Sequence, residues 1–150
     1  MVNPNLPSAQ LAALSLEESQ PAPHRLDLRL LPENLLAAVQ ALVTARWGYL
    51  SAIIGLDDGE ATLEVLYVFC DGPEVLTLRL PTPRNNAQVP TLTSIIPSAV
   101  LFERELREMF GVQVQGLAAQ GPLFLADDWP PEVFPLLKDA ALPGRLEGTA

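Results

Sequence analysis

The chain has 150 residues, 49% of them hydrophobic and 18% charged, with a formal net charge of −9. That size fits one domain with one core. The acidic balance argues against a nucleic-acid binder, which needs a basic stripe for phosphates, and no apolar run reaches the length of about 18 residues needed to span a bilayer. One cysteine and one histidine cannot make a four-ligand zinc site or a cubane iron-sulfur cluster. The opening MVNPNLPSAQ has no basic segment ahead of an apolar core, so no secretory signal and a cytosolic setting are expected.

Residues 1–24 carry prolines at 4, 7, 21 and 23 around a short helix-like run, and are expected to form an N-terminal arm that orders only against something else. From Arg25 the pattern alternates. Leu26, Leu28 and Leu30 fall on one side and Arg25, Asp27 and Arg29 on the other, which predicts a half-solvated strand. Pro32 opens a helix in which Leu35, Leu36, Val39, Leu42 and Val43 recur at helical spacing. Strands follow over Tyr49–Leu56, Thr62–Cys70 and Val75–Leu80, separated by turns at Asp57-Asp58-Gly59 and Asp71-Gly72-Pro73. Cys70 reads as a small core residue and His24, between Pro23 and Arg25, as a surface or boundary one. Pro81 to Pro90 is a polar loop suited to partner contact or plain connection.

Pro97 suits the first turn of a helix and Gly111 the left-handed position past its end. On a wheel, Ala99, Phe102, Leu106, Met109 and Phe110 make one apolar stripe, with Glu103 and Glu105 at its edges and Arg104, Arg107 and Glu108 pointing away. Glu103 with Arg107 and Arg104 with Glu108 are spaced for local ion pairs. Val112 and Val114 then alternate in a short edge strand. The stretch from Gly116 onward has apolar residues between prolines and no sustained period, so it should wrap over this domain or a neighbour.

These elements predict an α+β fold with a mostly antiparallel sheet, in the order β-α-β-β-β and then the proline-led helix. Three segments result: the arm 1–24, an α+β core 25–116 and an extended C-terminal tail 117–150. Neither Asp57-Asp58 nor Asp127-Asp128 has the interleaved spacing of a calcium loop, so no metal site is expected. No phosphate-cradling loop or nucleophile elbow is present. A stand-alone hydrolase would have to use the carboxylates of Glu103 and Glu105, which would need a shared cleft.

Phe102-Glu103-Arg104-Glu105 followed by Met109-Phe110-Gly111 resembles the signature of the C-subunit family of proton-pumping NADH:quinone oxidoreductase, complex I. The same domain occurs in membrane-bound nickel-iron hydrogenases. Thr93 to Pro97, Leu123-Phe124-Leu125, Asp127-Asp128-Trp129 and Pro135 to Asp139 follow in the family's order, so the likeness covers roughly residues 25 to 140. The resemblance implies a structural subunit of the peripheral arm, with no catalytic residue or cofactor of its own. It would pack against the chain related to the hydrogenase large subunit, on the cytoplasmic side of the membrane. NAD, FMN, iron-sulfur clusters and quinone, or a nickel-iron centre, would belong to partner subunits. The implied partner interface comprises Glu103, Arg104, Glu105, Arg107, Phe110, Gly111, Asp127, Asp128, Trp129, Lys138 and Asp139. One departure stands out. Leu117 to Pro122 lies where the family usually has histidine, proline and arginines, and Leu137 lies where arginine is usual, so a cationic patch is missing. The short length and the Asp127-Asp128-Trp129-Pro130 run also resemble the versions found in hydrogenase-type assemblies.

Overall fold

The computed structural model describes residues 5–118 and 120–143, so residues 1–4 of the expected arm and residues 119 and 144–150 of the expected tail lie outside the described residues. In chain order the elements are α1 (Ser8–Leu14), β1 (Ser15–Ala22), β2 (Arg25–Leu30), α2 (Leu35–Thr44), β3 (Tyr49–Asp57), β4 (Thr62–Asp71), β5 (Glu74–Pro83), β6 (Gln88–Pro90), α3 (Ala99–Phe110) and β7 (Gln113–Gln115). Five strands form one sheet in the order β1-β2-β5-β4-β3, and β6 pairs with β7 in a small separate ribbon. Within the large sheet only β2 and β5 run parallel. A parallel pair needs a crossover, and α2 with the β3–β4 hairpin supplies it. The fold is α+β, with a mostly antiparallel mixed sheet.

Alternation decides which face is covered. Leu63, Val65, Tyr67 and Phe69 of β4 and Leu76, Leu78 and Leu80 of β5 are buried, and their neighbours in sequence are only half buried. Leu11 of α1 and Leu35, Ala38, Val39 and Leu42 of α2 close over this face in one apolar core. Helix α3 packs against β3. Gly55 permits the close approach, because a Cβ there would sit 2.5 Å from the Phe110 ring. On the opposite face Ile54 and Leu56 are 45% and 50% exposed, and Tyr49 is 66% exposed.

The N-terminal segment departs from the expected arm. Leu6 and Leu11 belong to the core, and β1 hydrogen-bonds antiparallel to β2, so residues 5–22 are part of the domain. Pairing with β2 orders a segment whose own sequence has no strand period. Cys70 also differs, being half-buried next to Tyr49 and Val75. The polar loop shortens because β5 runs to Pro83 and Arg84–Asn86 forms a 3-10 turn before β6.

Candidate docking interface

Helix α3 carries five of the eleven residues of the expected interface, and its two sides hold different parts of the chain. Toward the core, Glu103 is fully buried beside Ala99 and Leu106. Its Oε2 accepts a hydrogen bond from Thr91 Oγ1 (2.6 Å) and its Oε1 accepts one from the Leu92 backbone N–H (2.5 Å). Burial pushes the Glu103 carboxyl above its ordinary value, against the pull of these two donors. The side chain lies inside the stripe, and the predicted pairing with Arg107 gives way to anchoring the turn before α3. Glu105, two residues on, is exposed. The two glutamates therefore share no cleft, which corrects the hydrolase alternative: a sealed carboxylate and a solvated one cannot act together on a substrate.

The other side of α3 binds the tail. Glu108 accepts the backbone N–H groups of Leu123 (2.9 Å), Phe124 (2.9 Å) and Leu125 (3.1 Å). Burial alone would raise the Glu108 carboxyl, but the three N–H donors outweigh it and hold it below the ordinary value. Arg104 Nη2 donates to the Gly121 carbonyl (3.1 Å) and Arg107 Nη2 to the Gln120 carbonyl (3.4 Å). The expected pair of Arg104 with Glu108 is replaced by these contacts with tail backbone. Between helix and tail a cleft of about 380 Å³ is lined by Arg104, Leu125, Trp129 and Phe134.

At the C-terminal end of α3, Gly111 takes φ +72° and its N–H closes on the Arg107 carbonyl. A Cβ on Gly111 would stand 2.5 Å from the Phe134 ring, so this glycine is required both by the helix cap and by the tail. Phe110 and Gly111 are thus occupied within the chain. Trp129 is half-buried and donates its indole N–H to the Val133 carbonyl (2.7 Å), whereas Asp127 and Asp128 are exposed.

A second clasp, not seen in the sequence, lies at the β3–β4 turn. Asp57 is buried and faces Arg84, which donates to both carboxylate oxygens at 2.6 and 3.0 Å. Asp57 also accepts the backbone N–H of Lys138 (2.8 Å), while Arg84 reaches on to Asp139. The Arg84 hydrogen bonds hold both Asp57 and Asp139 below the ordinary carboxylate range. Lys138 Nζ donates to the Asp58 carbonyl (3.2 Å). Asp57 reads from sequence as a turn residue and does fill that role, accepting the Gly59 N–H. Its partner Arg84 lies in a loop with no periodic pattern, so nothing in the sequence linked them.

The geometry defines a class: a compact α+β domain whose signature helix grips its own C-terminal segment through side chains bonded to backbone. The chain belongs to the family described as the 30 Kd subunit of respiratory-chain NADH dehydrogenase, whose model matches residues 28–146. It is 36% identical over 107 residues to formate hydrogenlyase subunit 5 of Escherichia coli (strain K12), covering 68% of this chain and 19% of that protein. This chain therefore spans about a fifth of that relative's length. It is 30% identical over 130 residues to NAD(P)H-quinone oxidoreductase subunit J of Prochlorococcus marinus (strain NATL2A), covering 80% of this chain and 74% of that one. Among solved structures, a chain of the membrane-bound sulfane sulfur reductase, an archaeal respiratory membrane complex, shares the fold with a TM-score of 0.68 at 22% identity. That match covers 83% of this chain and 76% of the other. No helix among the described residues is long and apolar enough to cross a membrane.

Proposed function

We propose that this chain is a structural subunit or domain of the peripheral arm of a complex I-like oxidoreductase. It packs against the chain related to the hydrogenase large subunit, and the redox groups are held by its neighbours. Family membership carries this reading. It is supported by the way the signature residues are used: Glu103 anchors the turn before α3 and Glu108 and Arg104 bind tail backbone, so all three act on the shape of the chain itself. The work of such a subunit is positioning, with buried apolar area worth roughly 25 cal/mol per Å² and charge choosing the partner. The interface then draws on the residues left exposed, Glu105, Asp127 and Asp128, with Trp129, Lys138 and Asp139 at the clasped tail beside them. It would sit on the cytoplasmic face of the membrane.

Two settings fit this role. The family's description points to an NADH:quinone oxidoreductase, with NAD, FMN, iron-sulfur clusters and quinone in partner subunits. The second setting is a membrane-bound nickel-iron hydrogenase, and one observation favours it: over two thirds or more of this chain, identity to the hydrogenlyase subunit, 36%, exceeds the 30% to the quinone oxidoreductase subunit J, the 39% to a C/D subunit being confined to 64 residues. Mild-detergent purification through a tag on this chain, followed by mass spectrometry, tests both settings. A large-subunit-like chain should co-purify in stoichiometric amount, with NADH-binding flavoprotein chains in the first setting and without them in the second. Recovery of this chain alone from native membranes overturns the assembly role.

A further inference from the structure

The two edges of the five-stranded sheet are built differently. At one edge β1 presents Glu17, Glu18 and Pro21, and its register with β2 shifts between Ser15 and Glu17 and again between Ser19 and Ala22. Charge, proline and irregular register all discourage another strand from adding on. At the other edge β3 reads YLSAIIGLD, with no proline and no charge before Asp57. Its register with β4 shifts once, between Leu50 and Ala52, and is regular from Ala52 to Asp57. Among the described residues, nothing except β4 hydrogen-bonds the β3 backbone between Tyr49 and Leu56.

The face beside this open edge is apolar. Ile54 and Leu56 are about half exposed, and Leu66 and Val68 of β4 lie opposite Ile54 and Ala52. The strip ends at a turn where Asp58 and Glu60 are exposed. The Asp58 carboxylate is held in its charged form by the Glu60 and Thr62 N–H groups. The nearby cation, Lys138, is turned to the Asp58 carbonyl. Glu64 lies directly opposite Leu56, and its charge is already matched, since Arg79 bridges Glu64 (2.6 Å) and Asp27 (3.1 Å). A net charge of −9 opposes a second copy of this chain as the occupant.

We propose that β3 is a docking edge that receives an extended segment of the partner polypeptide as an added strand. The segment carries apolar side chains at alternate positions, over Ile54 and Leu56, and a lysine or arginine where it passes Asp58 and Glu60. Strand addition would satisfy the open backbone groups while the alternate side chains set specificity. This deepens the assembly reading and rests on it.

The test uses the tagged chain in its native complex, with Ile54→Thr combined with Leu56→Thr, a pair that keeps strand propensity, and separately Glu60→Lys. Recovery of partner chains should fall about tenfold or more in the double variant, the scale of losing interface anchors. The loss for Glu60→Lys should be smaller and salt-dependent. Hydrogen exchange of the wild-type protein should show amides of residues 52–56 slowed in the complex relative to the free chain. Unchanged recovery in a double variant that melts like wild type, or unprotected amides in the intact complex, overturns the docking edge and leaves the assembly role standing. Self-association of the free wild-type chain that the double variant abolishes would assign the edge to a second copy and overturn the proposal. A wild-type chain that recovers no partner removes the assembly role and this inference with it.

Discussion

Residues 5–22 toward one end of the chain and 120–143 toward the other lie against the same domain by different means. The first segment buries Leu6 and Leu11 and adds a strand to the sheet, so apolar burial and a backbone ladder hold it. The second adds no strand among its described residues and keeps its apolar side chains half-buried or exposed. It is gripped by Glu108, Arg104 and Arg107 from α3 and by Asp57 and Arg84 at the β3–β4 turn. An apolar anchor works at any pH. Leu137 also packs on the core, but the clasp of carboxylates depends on their charge, so acid should loosen the C-terminal segment before the domain unfolds.

The largest expected effect is at the N-terminal anchor. Leu11→Ala should cost about 2–5 kcal/mol in urea unfolding, because the site is sealed by α2 and leaves a cavity. A loss below about 1 kcal/mol would mean that this end is no better anchored than the tail. Gly111→Ala comes next, at roughly 1–2 kcal/mol, since it forces a side chain into a left-handed backbone position against Phe134. Thermal melting and protease sensitivity of the tail should change together, and a shift in one alone would separate the cap from the clasp.

Glu108→Ala should divide the two ends more cleanly. Cleavage within residues 121–140 should speed up severalfold while global stability falls by only about 1 kcal/mol, the scale of one charged hydrogen-bond cluster near the surface. Equal losses in both measurements would show that the tail is part of the cooperative unit. Lowering the pH should mimic this variant. Glu108, Asp57 and Asp139 are all held below their ordinary values of 4.5 and 3.8, so their contribution is present above those values and is lost as pH falls through the depressed ones. Tail cleavage by an acid-active protease should stay flat down to about pH 4 and rise below it.

The smallest effect carries the opposite sign. Glu103 has a raised carboxyl, so its contribution is complete below the ordinary value of 4.5 and declines as pH climbs through the raised one. Glu103→Gln keeps an acceptor for the Leu92 N–H, and should flatten that part of the stability profile while changing stability at neutral pH by less than about 1 kcal/mol. An unchanged profile would show that another group titrates there.

Periodicity made β2, α2, the β3–β4–β5 meander and α3 legible, because in each a regular spacing matches one buried face. It could not show β1. SLEESQPA has no alternation, and it becomes a strand only because β2 offers a ladder. Helical spacing puts Glu103 at the edge of the apolar stripe, since no rule of spacing predicts a carboxylate sealed in a core. Its meaning comes from Thr91 and Leu92. The tail grip was equally hidden, because Glu108 binds three backbone N–H groups that any residue other than proline could supply. Asp57 meets Lys138 across 81 residues, a pairing that only the assembled fold reveals.

The parallel pairing of β2 with β5 sets a timetable for synthesis. Leu28 waits for Leu78, so the β1–β2 hairpin has no neighbour beyond β2 until the meander that follows it has emerged. Contacts this distant in sequence are slow to close. A nascent chain stalled before β5 would therefore display the leucines of β2 to chaperones, and pausing the ribosome there should lengthen that display.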